Sequence, residues 1–146
     1  MICILNRNYA SARIEGESGG RNIAGRVQFL KRRNGILVVV NITGLPRDNP
    51  TGFFGFHIHE GTDCGGKDFA DTKNHLNPEN RPHPEHYGDL PPLLSCKGTA
   101  YMTVLTDRFT IREIIGRTVV IHNSFDDFHS QPGGNAGMKI ACGKIV

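Results

Sequence analysis

Short apolar runs rich in β-branched residues recur along this chain, each closed by a turn. They fall at residues 9–15, 24–32, 35–43, 53–59, 98–106, 109–115, 117–122 and 138–145. Turn residues separate them, notably Asn34-Gly35, Gly44-Leu45-Pro46 and Gly116. The stretch "ILVVV" at 36–40 is continuously apolar, as a core strand can be. No long segment keeps a helical apolar stripe, and strands do not alternate with helices. Such strands must bury their apolar faces sheet on sheet or by closing a barrel. The pattern therefore predicts an all-β fold, an eight-stranded antiparallel sandwich or barrel.

A length of 146 residues fits one domain spanning 1–146 with a real core, and 18 Gly with 8 Pro suit a turn-rich β protein. The formal charge of +3 is mild and scattered. Its one cluster, Lys31-Arg32-Arg33, reads as a solvated hairpin tip beside Asn34-Gly35, so nucleic acid is not an expected partner. The apolar runs are too short to span a membrane as helices. "MICIL" at 1–5 is shorter than a signal-peptide core, which needs roughly 7 to 15 apolar residues. As it stands the chain reads as cytoplasmic, and as exported if it is a processed form. The four cysteines, Cys3, Cys64, Cys96 and Cys142, show no CxxC spacing, and their even number permits disulfides without requiring them.

Two segments interrupt the strands. Residues 60–93 form a 34-residue connection holding five of the eight prolines, and residues 123–137 form a shorter one. A loop of the first length is expected to be functional or disordered. It carries Cys64, His75, His83, His86 and Asp89, and reads as a segment folded around a metal.

In "GFHIHEG" (55–61) the flanking aromatics favour a strand, which puts His57 and His59 on one face. A lone strand histidine is usually just partly buried and hydrogen-bonded, but here six of the seven histidines fall into three pieces. The other two pieces are "NHLNPENRPHPEHYGDL" (74–90) and "GRTVVIHNSFDD" (116–127). His75, His83, His86 and Asp89 supply three nitrogens and an oxygen, enough to close a tetrahedral zinc site. His57, His59 and His122 supply a separate nitrogen set that suits copper, or zinc or iron.

With the motifs "GFHIHE", "HLNP" and a histidine eight residues later, "HYGDL", "GRTVVIH" and "GNAGMKIACG", the sequence resembles the copper/zinc superoxide dismutases from about residue 10 to 146. The resemblance implies a Greek-key, immunoglobulin-like β-sandwich with two long functional loops. It implies copper on His57, His59, His75 and His122, zinc on His75, His83, His86 and Asp89, and a shared His75 imidazole. Asp126 would be the carboxylate linking a copper-side and a zinc-side histidine. Cys64 and Cys142 would form a disulfide closing about 78 residues, for which chain entropy suggests roughly 4–5 kcal/mol. Cys3 and Cys96 have no counterpart, and His129 reads as an ordinary loop residue.

The implied activity is disproportionation of superoxide to oxygen and hydrogen peroxide, with His75 both ligand and acid. A two-metal hydrolase needs metals roughly 3.5–4 Å apart sharing a water. An imidazole bridge with bonds near 2.0–2.1 Å holds them about 6 Å apart. The stronger rival is a copper/zinc-binding protein for storage, transfer or stability, with little turnover. Two departures from the family pattern keep it in view. The anion-guiding arginine is replaced by Lys139, and loop 124–137 offers only Asp126, Asp127 and His129 as ionisable groups. Lys139 is therefore expected to be the main local attractor of the substrate anion. A homodimer and a copper donor protein are further partners the resemblance raises.

Overall fold

The computed structural model describes residues 7–146. The "MICIL" run and Cys3 lie outside the described residues. Three long strands open the fold as a meander: β1 (Tyr9–Ser18), β2 (Arg21–Arg32) and β3 (Gly35–Thr43). Arg32 pairs with Gly35, so the expected hairpin tip falls at Arg33-Asn34, with Lys31, Arg32 and Arg33 all exposed. Then follow β4 (Phe53–Phe54), β5 (Phe56–His59), β6 (Leu93–Leu94), β7 (Ala100–Thr106), a one-turn helix α1 (Ile111–Ile114), β8 (Thr118–His122) and β9 (Lys139–Lys144).

Seven strands make one antiparallel sheet in the order β5-β8-β9-β1-β2-β3-β7, and β4 pairs with β6 in a small ribbon. The chain leaves β3 to reach β5 at the far edge, then crosses back from β7 to β8. These crossings are of the Greek-key kind, and the all-β expectation holds.

Alternation sets what faces inward. Ala10, Ala12 and Ile14 on β1, Val27 and Phe29 on β2, and Val38, Val40 and Ile42 on β3 are fully buried in one core cluster. Burying a Val, Ile or Phe side chain contributes about 1.5–3 kcal/mol each. Strands β5 and β8 differ, being buried on both faces. Phe56, Ile58, Val119 and Ile121 join the core cluster. His57, His59, Thr118 and His122 sit on the other face, which is also buried. The long loops supply that cover.

Two expectations are corrected. The run 53–59 is not one strand, because it changes partners at Gly55. There the N–H donates to the Ser124 carbonyl (2.7 Å) and the carbonyl accepts from the His122 N–H (2.8 Å), which turns the chain from one sheet to the other. The run 109–115 is not a strand but contains α1. Thr110 caps it, with its hydroxyl accepting from the Glu113 N–H while the Glu113 carboxylate accepts from the Thr110 N–H. This is a capping box, and it presents the buried Ile111 and Ile114, three residues apart, on one helix face.

Candidate metal centre

The loop 60–93 is laid along the free edge of β5. Ile58 N–H donates to the Gly88 carbonyl (2.9 Å), and Leu76 N–H donates to the Ile58 carbonyl (2.8 Å). Gly88 N–H closes the triangle on the Leu76 carbonyl (3.0 Å). A Cβ at Gly88 would stand 2.0 Å from the Ile58 carbonyl oxygen, so only glycine permits this approach. The pairing sets His75 opposite His59 and Asp89 opposite His57. Four more contacts tie the loop down. Arg108 donates to the carbonyls of Pro84, His86 and Asp89, and Arg117 to that of Glu60. The Gln131 side chain brackets His83, accepting from its N–H and donating to its carbonyl, both at 2.8 Å. The Cys64–Cys142 disulfide joins the loop to β9. The sequence points to the cysteines but gives no sign of Arg108 or Gln131, and no role to Arg117, which lies inside the "GRTVVIH" motif.

The six expected histidines and Asp89 converge. His57, His59, His75 and His122 bring ligand atoms within 4.8 Å of one another, as do His75, His83, His86 and Asp89, and all seven residues are buried. His75 belongs to both groups. His129 stays apart, with its side chain 81% exposed.

The outer ring nitrogens decide what the inner ones can do. Asp126 bridges the groups, its Oδ2 lying 2.7 Å from His57 Nε2 and its Oδ1 2.7 Å from His83 Nε2. Burial would raise the Asp126 carboxyl, but the hydrogen bonds from His57, His83 and the Phe128 N–H outweigh it and hold it well below the usual range. An ionised carboxylate only accepts, so both Nε2 atoms carry hydrogens and both Nδ1 atoms are bare lone pairs. His59 Nδ1 donates to the Lys73 carbonyl (2.9 Å) and His122 Nδ1 to the Gly137 carbonyl (3.1 Å). Their Nε2 atoms are then lone pairs as well.

These bare nitrogens face one another. His59 Nε2 and His122 Nε2 lie 3.3 Å apart, and His83 Nδ1 lies 3.0 Å from Asp89 Oδ2. With its hydrogen on Nε2, His83 Nδ1 has none to give Asp89, and it and His57 Nδ1 are buried without a hydrogen-bond partner. Lone pairs packed this closely repel unless cations lie between them. The donor set therefore fits two metal ions. Desolvation also keeps imidazoles available: burial pushes His57 down to about 4 and His122 to about 3, and holds His59 well below its usual value. Asp89 is raised by burial but lowered more by the His75 hydrogen bond and the neighbouring imidazoles, so it too stays ionised.

Gly134 completes the lid over this pair of groups. Its φ is +70°, and a Cβ there would stand 2.0 Å from Asp126 Oδ1 and 2.6 Å from His83 Nε2. A cleft of about 820 Å³ opens beside His59, His75 and His122. Lys139 lines it, and so do Lys73 and Arg81. Arg81 is paired with Glu79 (2.8 Å). Lys139 is thus not the cleft's lone cation, and its ammonium is already hydrogen-bonded to Phe69, Thr72 and Lys73.

An antiparallel Greek-key sheet whose strands β5 and β8 and long loop gather two histidine-rich, metal-compatible groups around a common imidazole defines a class of binuclear metalloproteins. The model of the copper/zinc superoxide dismutase family matches residues 23–145, and the chain belongs to that family. It is 35% identical to superoxide dismutase [Cu-Zn] 2 of Aquifex aeolicus over 84% of this chain and 79% of that protein. It is 32% identical to superoxide dismutase [Cu-Zn] of Legionella pneumophila over 83% and 76%. A crystal structure of a double mutant of a SOD-like protein from Bacillus subtilis superposes with a TM-score of 0.80, at 25% identity, covering 94% of this chain and 97% of that one.

Proposed function

We propose that this protein disproportionates superoxide to oxygen and hydrogen peroxide. Copper would be held by His57, His59, His75 and His122, and zinc by His75, His83, His86 and Asp89. The observation that carries the reading is the buried set of ligand atoms, with bare nitrogens on His57, His59, His83 and His122, split into two groups that share His75. Copper supplies the one-electron redox change, while zinc, which has none, orients and polarises. The chain's own residues do the rest. The cleft beside His59, His75 and His122 admits a small anion from solvent. Lys73 and Lys139 favour negative charge there. Asp126 keeps the His57 and His83 rings in the tautomer that leaves Nδ1 free. His75 would serve both groups: Nδ1 lies 2.8 Å from Asp89 Oδ1, and Nε2, on the copper side, could donate a proton to the reduced substrate only while it is not bound to copper. We take the chain as a single domain, since its buried apolar residues gather in one core cluster.

The test is steady-state superoxide consumption by protein reconstituted with copper and zinc, beside the metal-free protein and a His57→Ala, His59→Ala double variant. We expect one copper and one zinc per chain and turnover only in the reconstituted wild type. In the double variant copper is lost while zinc remains. Full metal loading without turnover would instead favour a metal-binding role.

A further inference from the structure

The segment between Cys64 and His75 contains a 3-10 turn, Lys67–Thr72, with unusual backbone. Asp68 (φ 54°), Phe69 (φ 59°) and Lys73 (φ 59°) are all left-handed although none is glycine. Such residues cost on the order of 1 kcal/mol or more each and persist only where surroundings hold them. The Lys139 ammonium meets two of these three. It donates to the Lys73 carbonyl (2.9 Å), the Thr72 hydroxyl (2.7 Å) and, at the limit, the Phe69 carbonyl (3.5 Å). An ammonium has three hydrogens, and here three acceptors surround it. The Lys73 carbonyl is also the acceptor that fixes His59 Nδ1–H (2.9 Å).

We propose that Lys139 is a positioning residue: it clamps the strained turn 67–73 onto β9 and so aims the Lys73 carbonyl that orients His59. Its charge still favours anions in the cleft, but its hydrogens are spent on the loop, and an incoming anion receives no directed hydrogen bond from it. The clamp is the second staple of this loop on β9. The first is the disulfide at Cys142, three residues along the strand. Lysine suits the task because a compact point charge can sit among three converging oxygens, where a planar guanidinium would have to spread them. The role of His59 as a copper ligand rests on the function proposed above; the clamp itself does not.

Amide hydrogen exchange on the metal-free protein tests the clamp whether or not superoxide is consumed. The reporters are the amides of Gly61, Asp71 and Lys73, bonded to the carbonyls of Thr72, Gly65 and Ala70. Lys139→Met removes charge and donors together. Thr72→Val leaves the charge in place and removes one acceptor, together with the hydroxyl's own hydrogen bond to the Phe69 carbonyl (2.8 Å). We expect both to speed exchange at these three amides by about tenfold or more, the effect of losing one hydrogen bond to a charged group. Amides of Val27 and Val38 in the core should not change. In copper-loaded protein both variants should also shift the Cu(II) EPR signal, because His59 loses its fixed acceptor. If exchange and EPR stay at wild-type values in Thr72→Val, the clamp is refuted and Lys139 acts by charge alone. Should Lys139→Met lose core protection as well, Thr72→Val decides by itself.

Discussion

Asp126→Asn separates the two metal groups by a route the geometry dictates. Asp126 Oδ1 accepts from both His83 Nε2 (2.7 Å) and the Phe128 N–H (2.8 Å), whereas Oδ2 accepts only from His57 Nε2 (2.7 Å). An asparagine has one carbonyl oxygen. It must stay where two hydrogens already point, because an amide group turned the other way would set its own hydrogens against both. The NH2 group then faces His57. That imidazole can accept from it only with its hydrogen moved to Nδ1, the atom now buried and unpartnered. A protonated Nδ1 cannot ligate a metal. Altering a carboxylate that orients a ligating histidine costs roughly 10–100-fold in metal affinity, or about 1.4–2.8 kcal/mol. The full loss should fall on copper, and zinc, served by His83, should change by less than a few fold. Chelator competition with both metals measured in the same samples reads this directly. Equal losses for both metals, or a loss confined to zinc, would refute the tautomer argument.

Two further predictions concern stability. Replacing both Cys64 and Cys142 by serine opens a loop of 78 residues and should cost about 4–5 kcal/mol by chain entropy. Urea unfolding of the metal-free protein measures it, and a loss below about 1 kcal/mol would mean the loop is held almost wholly by its hydrogen bonds. Acid should also destabilise the metal-free protein. His57 at about 4 and His122 at about 3 lie below the roughly 6.5 of an unfolded imidazole. The unfolded chain therefore takes up protons first, and stability present above about pH 6.5 is lost as pH falls toward 4 and below. The slope is at most about 1.4 kcal/mol per pH unit for each histidine. A stability flat from pH 6.5 to 4 would show that these imidazoles are not desolvated as the structure implies.

The β class, the first three strands and the hairpin tip were legible in the amino-acid order. Each of these rests on local patterning: alternation along β1 to β3, and turn residues between them. That order also brought the metal-compatible side chains into view, because six of the seven histidines fall into three short pieces, one of which also carries Asp89. The capping box of α1 was written in Thr110 and Glu113, yet Ile111, Ile114 and Ile115 read equally well as a β-branched run. At one turn in length, periodicity could not choose between helix and strand. The partner change at Gly55 came from the tertiary fold, since it depends on Ser124 and His122, far away in the chain. That fold alone decided which ring nitrogen of each histidine is free, because Asp126, Lys73 and Gly137 reach those rings across it. Lys139 shows the difference most plainly. Sequence gives its charge and its place in a motif, but an ammonium guides an anion or clamps a loop according to which oxygens surround it. Those oxygens belong to Phe69, Thr72 and Lys73, nearly seventy residues away, and folding alone sets them there.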